Sequence, residues 1–260
     1  MKHLVSLSFS NIIFTMFLSF IVPASVNAAP NIFDATMGET MPTPEVSTAQ
    51  VRQFLKDGSA VVLDSRRMEQ YAAGHIPDVA HIDLKAGTPE YTAAVERLLG
   101  GDKARMLVLY CNGPNCGASR SLAKQLVEEG FTNVYRYQLG IPMWRTMGGP
   151  TAMELEGVVR IFDVDRTAVY FDARTPADFA KGSIPGAHSV PAAQIDQNVL
   201  GDAPKPGQDM NTRIIIFGKD GAQARELAEA MGESPYHNVN YYPGTFESLQ
   251  MAIHHKMHMK

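Results

Sequence analysis

Two cysteines, Cys111 and Cys116, stand five residues apart in the run Met106–Arg120, MLVLYCNGPNCGASR. Cys111 follows directly on a short apolar strand pattern, and a helical pattern begins just beyond Cys116. A thiol at the mouth of a glycine-bearing loop, ahead of a helix N-terminus, sits where backbone amides and the helix dipole favour a thiolate. A disulfide between the two would close a very short ring, which removes little chain entropy and staples nothing distant. A structural bridge is therefore a poor explanation of the pair. A reactive thiol with a resolving neighbour is a better one, and Cys111 is the expected nucleophile.

The elements that must position these thiols occur twice. Arg213–Arg225, RIIIFGKDGAQAR, repeats the strand–loop–helix run with Gly218 where the first copy has Cys111. Upstream, Val61–Ile82 lines up without a gap on Val169–Val190, matching Asp64 to Asp172, Arg66 to Arg174, Gly74 to Gly182 and Pro77 to Pro185. Downstream, Arg120 matches Arg225 and Asn133-Val134 matches Asn238-Val239, so the loop after Cys111 is two residues longer than its counterpart. Two copies of such a unit imply two similar domains, expected at residues 42–148 and 152–252, with Met147–Thr151 as linker. Val61–Leu63, Leu107–Tyr110 and Val134–Tyr137 are short, and the first two lack polar alternation, as strands covered on both faces of a parallel sheet do. Ser121–Glu129 places Leu122, Leu126 and Val127 on one helical face, and Gly130 closes that helix. Strands alternating with helices make an α/β domain whose ligands bind beyond the carboxyl ends of the strands, where Cys111 stands.

The first 28 residues read as a cleavable signal peptide. Asn11–Val22 is a short apolar run, and Val26-Asn27-Ala28 supplies small residues before a cut ahead of Ala29. The expected mature protein is periplasmic or secreted, with no membrane association after cleavage. A formal net charge of −4 carries no nucleic-acid footprint. At the other end, residues 253–260 include His254, His255, Met257, His258 and Met259. Imidazole and thioether groups suit copper, but a terminal segment of this kind is expected to fray into solvent.

Asp64-Ser65-Arg66, Tyr71-Ala72-Ala73-Gly74-His75-Ile76-Pro77, Tyr110-Cys111 with its loop, Gly130–Val134 and Trp144 ahead of Gly148 together resemble a tandem rhodanese, a sulfurtransferase. The resemblance implies an α/β fold of two rhodanese-like domains, each a parallel sheet flanked by helices. It also implies a persulfide on Cys111, loaded from a small sulfur-containing anion such as thiosulfate and unloaded to a thiol or cyanide, without cofactor or metal. Asn112, Gly113, Asn115, Cys116, Gly117, Ala118, Ser119 and Arg120 are then the loop that holds the anion. Aligning on Ser119 puts Ala118 where the family commonly has an arginine. Cys116 is open to three readings: a resolving thiol, a second sulfur carrier, or a small residue at the helix start. Trp144 either packs the core or rims the pocket. Asp64 and Arg66 recur in the copy without a thiol and are expected to be structural. Two other functions stay open, a thiol–disulfide or redox-sensing protein using Cys111 and Cys116, and a non-enzymatic binding module.

Overall fold

Strands made of consecutive apolar residues pair in parallel and must be covered on both sides. In the computed structural model, which describes residues 43–192, 209–232 and 236–259, two such sheets form. The expected leader, residues 1–28, lies outside the described residues. The first sheet has the order β2-β1-β3-β4, from β1 (Val61–Asp64), β2 (Ala80–His81), β3 (Leu107–Tyr110) and β4 (Val134–Tyr137), all parallel. Glu45 extends it by a parallel bridge to Arg136. Leu63, Leu107 and Leu109 fall to one face, under α3 (Pro89–Leu98) and α4 (Gly117–Glu128), where Tyr91, Val95, Leu122 and Leu126 meet them. Val62, Val108 and Tyr110 fall to the other, against Val51 of α1 (Thr48–Asp57) and Ile141 and Trp144 of α5 (Gly140–Thr146). The short α2 (Met68–Ala72) follows β1. Helix α1 starts where it does because Ser47 and Gln50 form a reciprocal capping box, and it stops at Gly58 in the left-handed conformation.

The second sheet repeats the first. Its order is β5-β9-β8-β6-β7, from β5 (Thr151–Ala152), β6 (Val169–Asp172), β7 (Ala187–Ser189), β8 (Ile214–Phe217) and β9 (Val239–Tyr241). The register repeats too, with Asp64 opposite Tyr110 in one sheet and Asp172 opposite Phe217 in the other. The covering helices are α6 (Leu155–Val164), α7 (Pro176–Ala180), α8 (Gly221–Gly232) and α9 (Phe246–His258).

Three local expectations are corrected. Helix α4 already begins at Gly117, and Val127 points outward while Leu122 and Leu126 are buried. Thr151 is not linker but the first residue of β5. Residues 253–258 do not fray: they complete α9, because Ile253 is buried against the second core and Lys256 pairs with Asp163 of α6 at 3.2 Å. No described helix is long and apolar enough to cross a membrane.

The domains meet along a seam of close backbone contacts. On one side β5 pairs in parallel with β9. On the other, Ala152 exchanges two backbone hydrogen bonds with His75 of the first domain, each 2.9 Å. Gly157 of α6 lies so near the Ala72 carbonyl of α2 that a side chain there would collide with it. Gly148 and Gly232 press on each other in the same way, and Arg225 of α8 pairs with Asp78 at 2.7 Å.

Candidate active site

Cys111 is the first residue past β3 and is buried, while Cys116 is half-buried at the N-cap of α4. The two are joined in a disulfide, with Cα atoms 6.2 Å apart. The ring-size argument set such a bridge aside as a structural staple, and here it is formed. The loop geometry accounts for it. Gly113, at φ +105°, turns the chain back, and the Cys116 amide donates to the Gly113 carbonyl at 3.0 Å, which brings the second sulfur over the first. The bridge lies within one loop and ties no separate elements together. Cys111 is thereby placed beside the N-terminal turn of a 12-residue helix, a position that stabilises negative charge on sulfur once the bond is open.

The loop rests on a floor that the residue pattern alone did not reveal. The Ile141 amide donates to the Cys111 carbonyl at 3.1 Å. Gly140, at φ +61°, is there because a Cβ would strike the Cys111 carbonyl and lie 2.6 Å from the Gly113 nitrogen. Gln138 donates from Nε2 to the Pro114 carbonyl at 2.7 Å. Arg136, fully buried in β4, in turn donates to Gln138 Oε1, to Thr43 Oγ1 at 3.0 Å and to Glu45 Oε1 at 3.0 Å. The charge is thus compensated inside the sheet, and its donors fix the side chain that holds the loop. Arg136 and Gln138 correspond to Tyr241 and Pro243 in the second copy, so this floor exists only beneath the cysteines. They lie two and four residues beyond Val134, just past the stretch over which the two copies align in sequence.

Beside the loop stands a buried carboxylate. Asp64 accepts from Arg66 Nη2 at 2.6 Å and Nε at 2.9 Å, and from the Tyr110 hydroxyl at 2.5 Å. Burial first, then the Asp64 charge, pushes the Tyr110 phenol well above its usual range, so it stays protonated as a donor. Arg66 also donates to the Gly74 carbonyl at 2.8 Å. The copy is the same in Asp172, Arg174 and Gly182, with 2.7 Å contacts from Arg174 Nη2 to the carboxylate and to the Gly182 carbonyl. The outer side differs. Arg66 Nη1 comes within 3.4 Å of Asn112 Oδ1 in the cysteine loop, whereas Arg174 lies over the Phe246 ring at 3.3 Å. The residue set aside as scaffold therefore also touches the loop.

Of the other loop residues singled out in sequence, Asn112, Asn115, Gly117 and Ala118 are exposed, and Gly113 and Ser119 are buried. Arg120 is half-buried in the first turn of α4. Trp144 belongs to the core: it is buried, and its Nε1 donates to the Pro150 carbonyl at 2.9 Å. Its edge also lines a cleft of about 460 Å³ between the domains, with Arg52, Lys56, Asp78, Arg225 and Glu229. A second hollow, about 380 Å³, lies beside Ser65, Arg66, His81 and Tyr91, and Cys111 lines neither. On α9 the Nε2 atoms of His254 and His258 are 2.9 Å apart. Among the described residues, no group of three or more His, Cys, Asp or Glu is placed to hold a metal.

Comparison with known proteins agrees with this architecture. The Rhodanese-like domain family matches residues 47–147 and again 160–252. Thiosulfate sulfurtransferase GlpE of Pseudomonas fluorescens SBW25 is 34% identical over 94 residues, which cover 36% of this chain and 78% of that protein. GlpE of Pseudomonas entomophila L48 is 36% identical over 99 residues, covering 38% of this chain and 83% of its own. Among solved structures, a thiosulfate sulfurtransferase from Pseudomonas aeruginosa aligns over 80% of this chain and 42% of its own length, at 21% identity and a TM-score of 0.36.

Proposed function

This chain belongs to the rhodanese-like family as a tandem pair of such domains, and from that premise we propose that it moves a sulfane sulfur from a small anion such as thiosulfate to a thiol or cyanide through a Cys111 persulfide. The observation that carries the reading is the confinement of both thiols, the longer loop and the Arg136–Gln138 floor to one of two otherwise matching copies. The reaction starts from the reduced pair, because the disulfide occupies the sulfur that must attack. The Cys111 thiolate then attacks the outer sulfur of thiosulfate and sulfite departs, which is covalent catalysis by an activated nucleophile. Loop amides from Asn112 to Ala118, except Pro114 and the Cys116 amide held by the Gly113 carbonyl, offer donors to the persulfide anion, and the N-terminus of α4 offers a favourable dipole. Arg120, in that first turn, attracts the anionic donor. The site is exported with the mature chain once residues 1–28 are removed.

Reduced protein given thiosulfate and cyanide is expected to release thiocyanate, and Cys111→Ser is expected to release none above background. Thiocyanate from Cys111→Ser at the wild-type rate would end this assignment. The disulfide favours a second reading, a thiol–disulfide protein without sulfur transfer. That reading expects a reversible Cys111–Cys116 couple and no mass gain on Cys111 after thiosulfate even in Cys116→Ser.

A further inference from the structure

Resting on the reading of Cys111 as sulfur carrier, we propose that Cys116 completes a second reaction within the same loop: it attacks the inner sulfur of the Cys111 persulfide and expels hydrosulfide. The chain then reduces sulfane sulfur to sulfide instead of only handing it on.

The bond in the structure decides which sulfur is attacked. In a persulfide the sulfur belonging to Cys111 is the inner one, and the added sulfur lies one bond further out. Cys116 Sγ is bonded to Cys111 Sγ itself. Attack at that atom closes the disulfide and drives the outer sulfur off. A relay role would need Cys116 to meet the outer sulfur, one bond further from Cys111. The loop is arranged for the closed state: Gly113 turns it, Gly140 lets it lie flat on α5, and the Cys116 amide is held by the Gly113 carbonyl. In the closed bridge Cys111 is buried and Cys116 half-buried. The second domain, with Gly218 in place of Cys111, has neither thiol.

The steps balance. The Cys111 thiolate and thiosulfate give the Cys111 persulfide anion and sulfite. The persulfide and the Cys116 thiol then give the Cys111–Cys116 disulfide and HS⁻, the Cys116 proton leaving on the hydrosulfide. The sulfane sulfur gains two electrons, and the two cysteines together lose two. Hydrosulfide leaves more readily than an alkyl thiolate because its conjugate acid is the stronger acid. Turnover requires an external dithiol, which reduces the bridge by exchange and is itself oxidised to a disulfide.

The test is a single turnover on the full chain, reduced, freed of reductant without oxygen, and given thiosulfate with no cyanide or thiol. Wild type is expected to release roughly one sulfide per chain, trapped as its bimane adduct, and to end as the disulfide by mass. Cys116→Ser and Cys116→Ala, used together so that one misfolded variant does not decide the matter, are expected to keep the added sulfur on Cys111 and release roughly tenfold less sulfide. Wild type holding its persulfide as long as the variants do would overturn the step and leave the carrier reading standing. The added sulfur mapped to Cys116 would do the same. No added sulfur on Cys111 in any form would remove the carrier reading, and this step with it.

Discussion

Asp64 and Asp172 are buried carboxylates that meet the same demand with different hydroxyls. Each is bound by the arginine two residues on, yet a fully buried carboxylate retains acceptor capacity beyond that fork. In the first domain Tyr110 supplies the further donor from β3, at 2.5 Å. In the second, Phe217 occupies that place and Ser183 donates instead, at 2.7 Å. Ser183 corresponds to His75, so the hydroxyl has moved from one element to another while its target stayed put. Tyr110→Phe is therefore expected to lower stability by about 1–3 kcal/mol in urea unfolding, since Asp64 loses a buried donor. Adding His75→Ser supplies the second domain's solution and should recover about 1 kcal/mol relative to simple additivity, read from a double-mutant cycle. Strict additivity would show that the two hydroxyls are not equivalent. The recurrence of Asp64 and Arg66 was legible in sequence, and so was their structural role. The contact from Arg66 to Asn112 was not, because it depends on how far the loop folds back.

At the level of elements, strand β3 was readable to the residue, since consecutive apolar residues between turn signals have one economical arrangement in a two-sided sheet. Helix α4 was read four residues short at its start. Gly117 and Ala118 carry no apolar side chain to extend the periodicity, so only the hydrogen bonds show that the helix begins right after Cys116. The end of α9 was missed for the opposite reason: composition suggested a frayed terminus, while Ile253 and the Lys256–Asp163 pair hold it as helix. The pair Cys111 and Cys116 was legible from residue type. The floor beneath it was not, because Arg136 in a strand pattern announces a buried charge only after its partners are known. That floor makes a prediction about α5. Gly140→Ala places a methyl against the Cys111 carbonyl in a backbone region costly to other residues, a strain of about 1–3 kcal/mol. Relief comes by pushing the cysteine loop outward. Thiocyanate release is expected to fall more than about tenfold with circular dichroism unchanged, since a small misplacement of a nucleophile is enough for such a loss. An unaltered rate would mean that the loop is not held from below.

For the whole molecule the seam decides behaviour toward acid. His75 sits on it, stacked on Tyr71 with ring centroids 3.7 Å apart, with His81 on the other face of the cluster and Glu154 Oε1 at 3.9 Å. Burial lowers its pKa from 6.5 to about 4, and the partly solvated Glu154 is too distant to hold a proton there. Between those values the unfolded chain binds a proton that the folded chain refuses. Stability from this group is therefore complete above pH 6.5 and lost as pH falls toward 4, by about 3 kcal/mol. Unfolding midpoints in urea at stepped pH should show the decline, and His75→Phe should flatten it. The strand β5 carries a further consequence. Its backbone is hydrogen-bonded to β9 of one sheet and, through Ala152, to His75 of the other domain. Neither half can melt at this edge without stripping partners from the other. Heat is thus expected to unfold the chain as one cooperative unit, in a single calorimetric peak whose van't Hoff and calorimetric enthalpies agree. The half without cysteines then acts as a thermal brace for the half that carries them, so a substitution that loosens one copy is felt as lost heat resistance in the other.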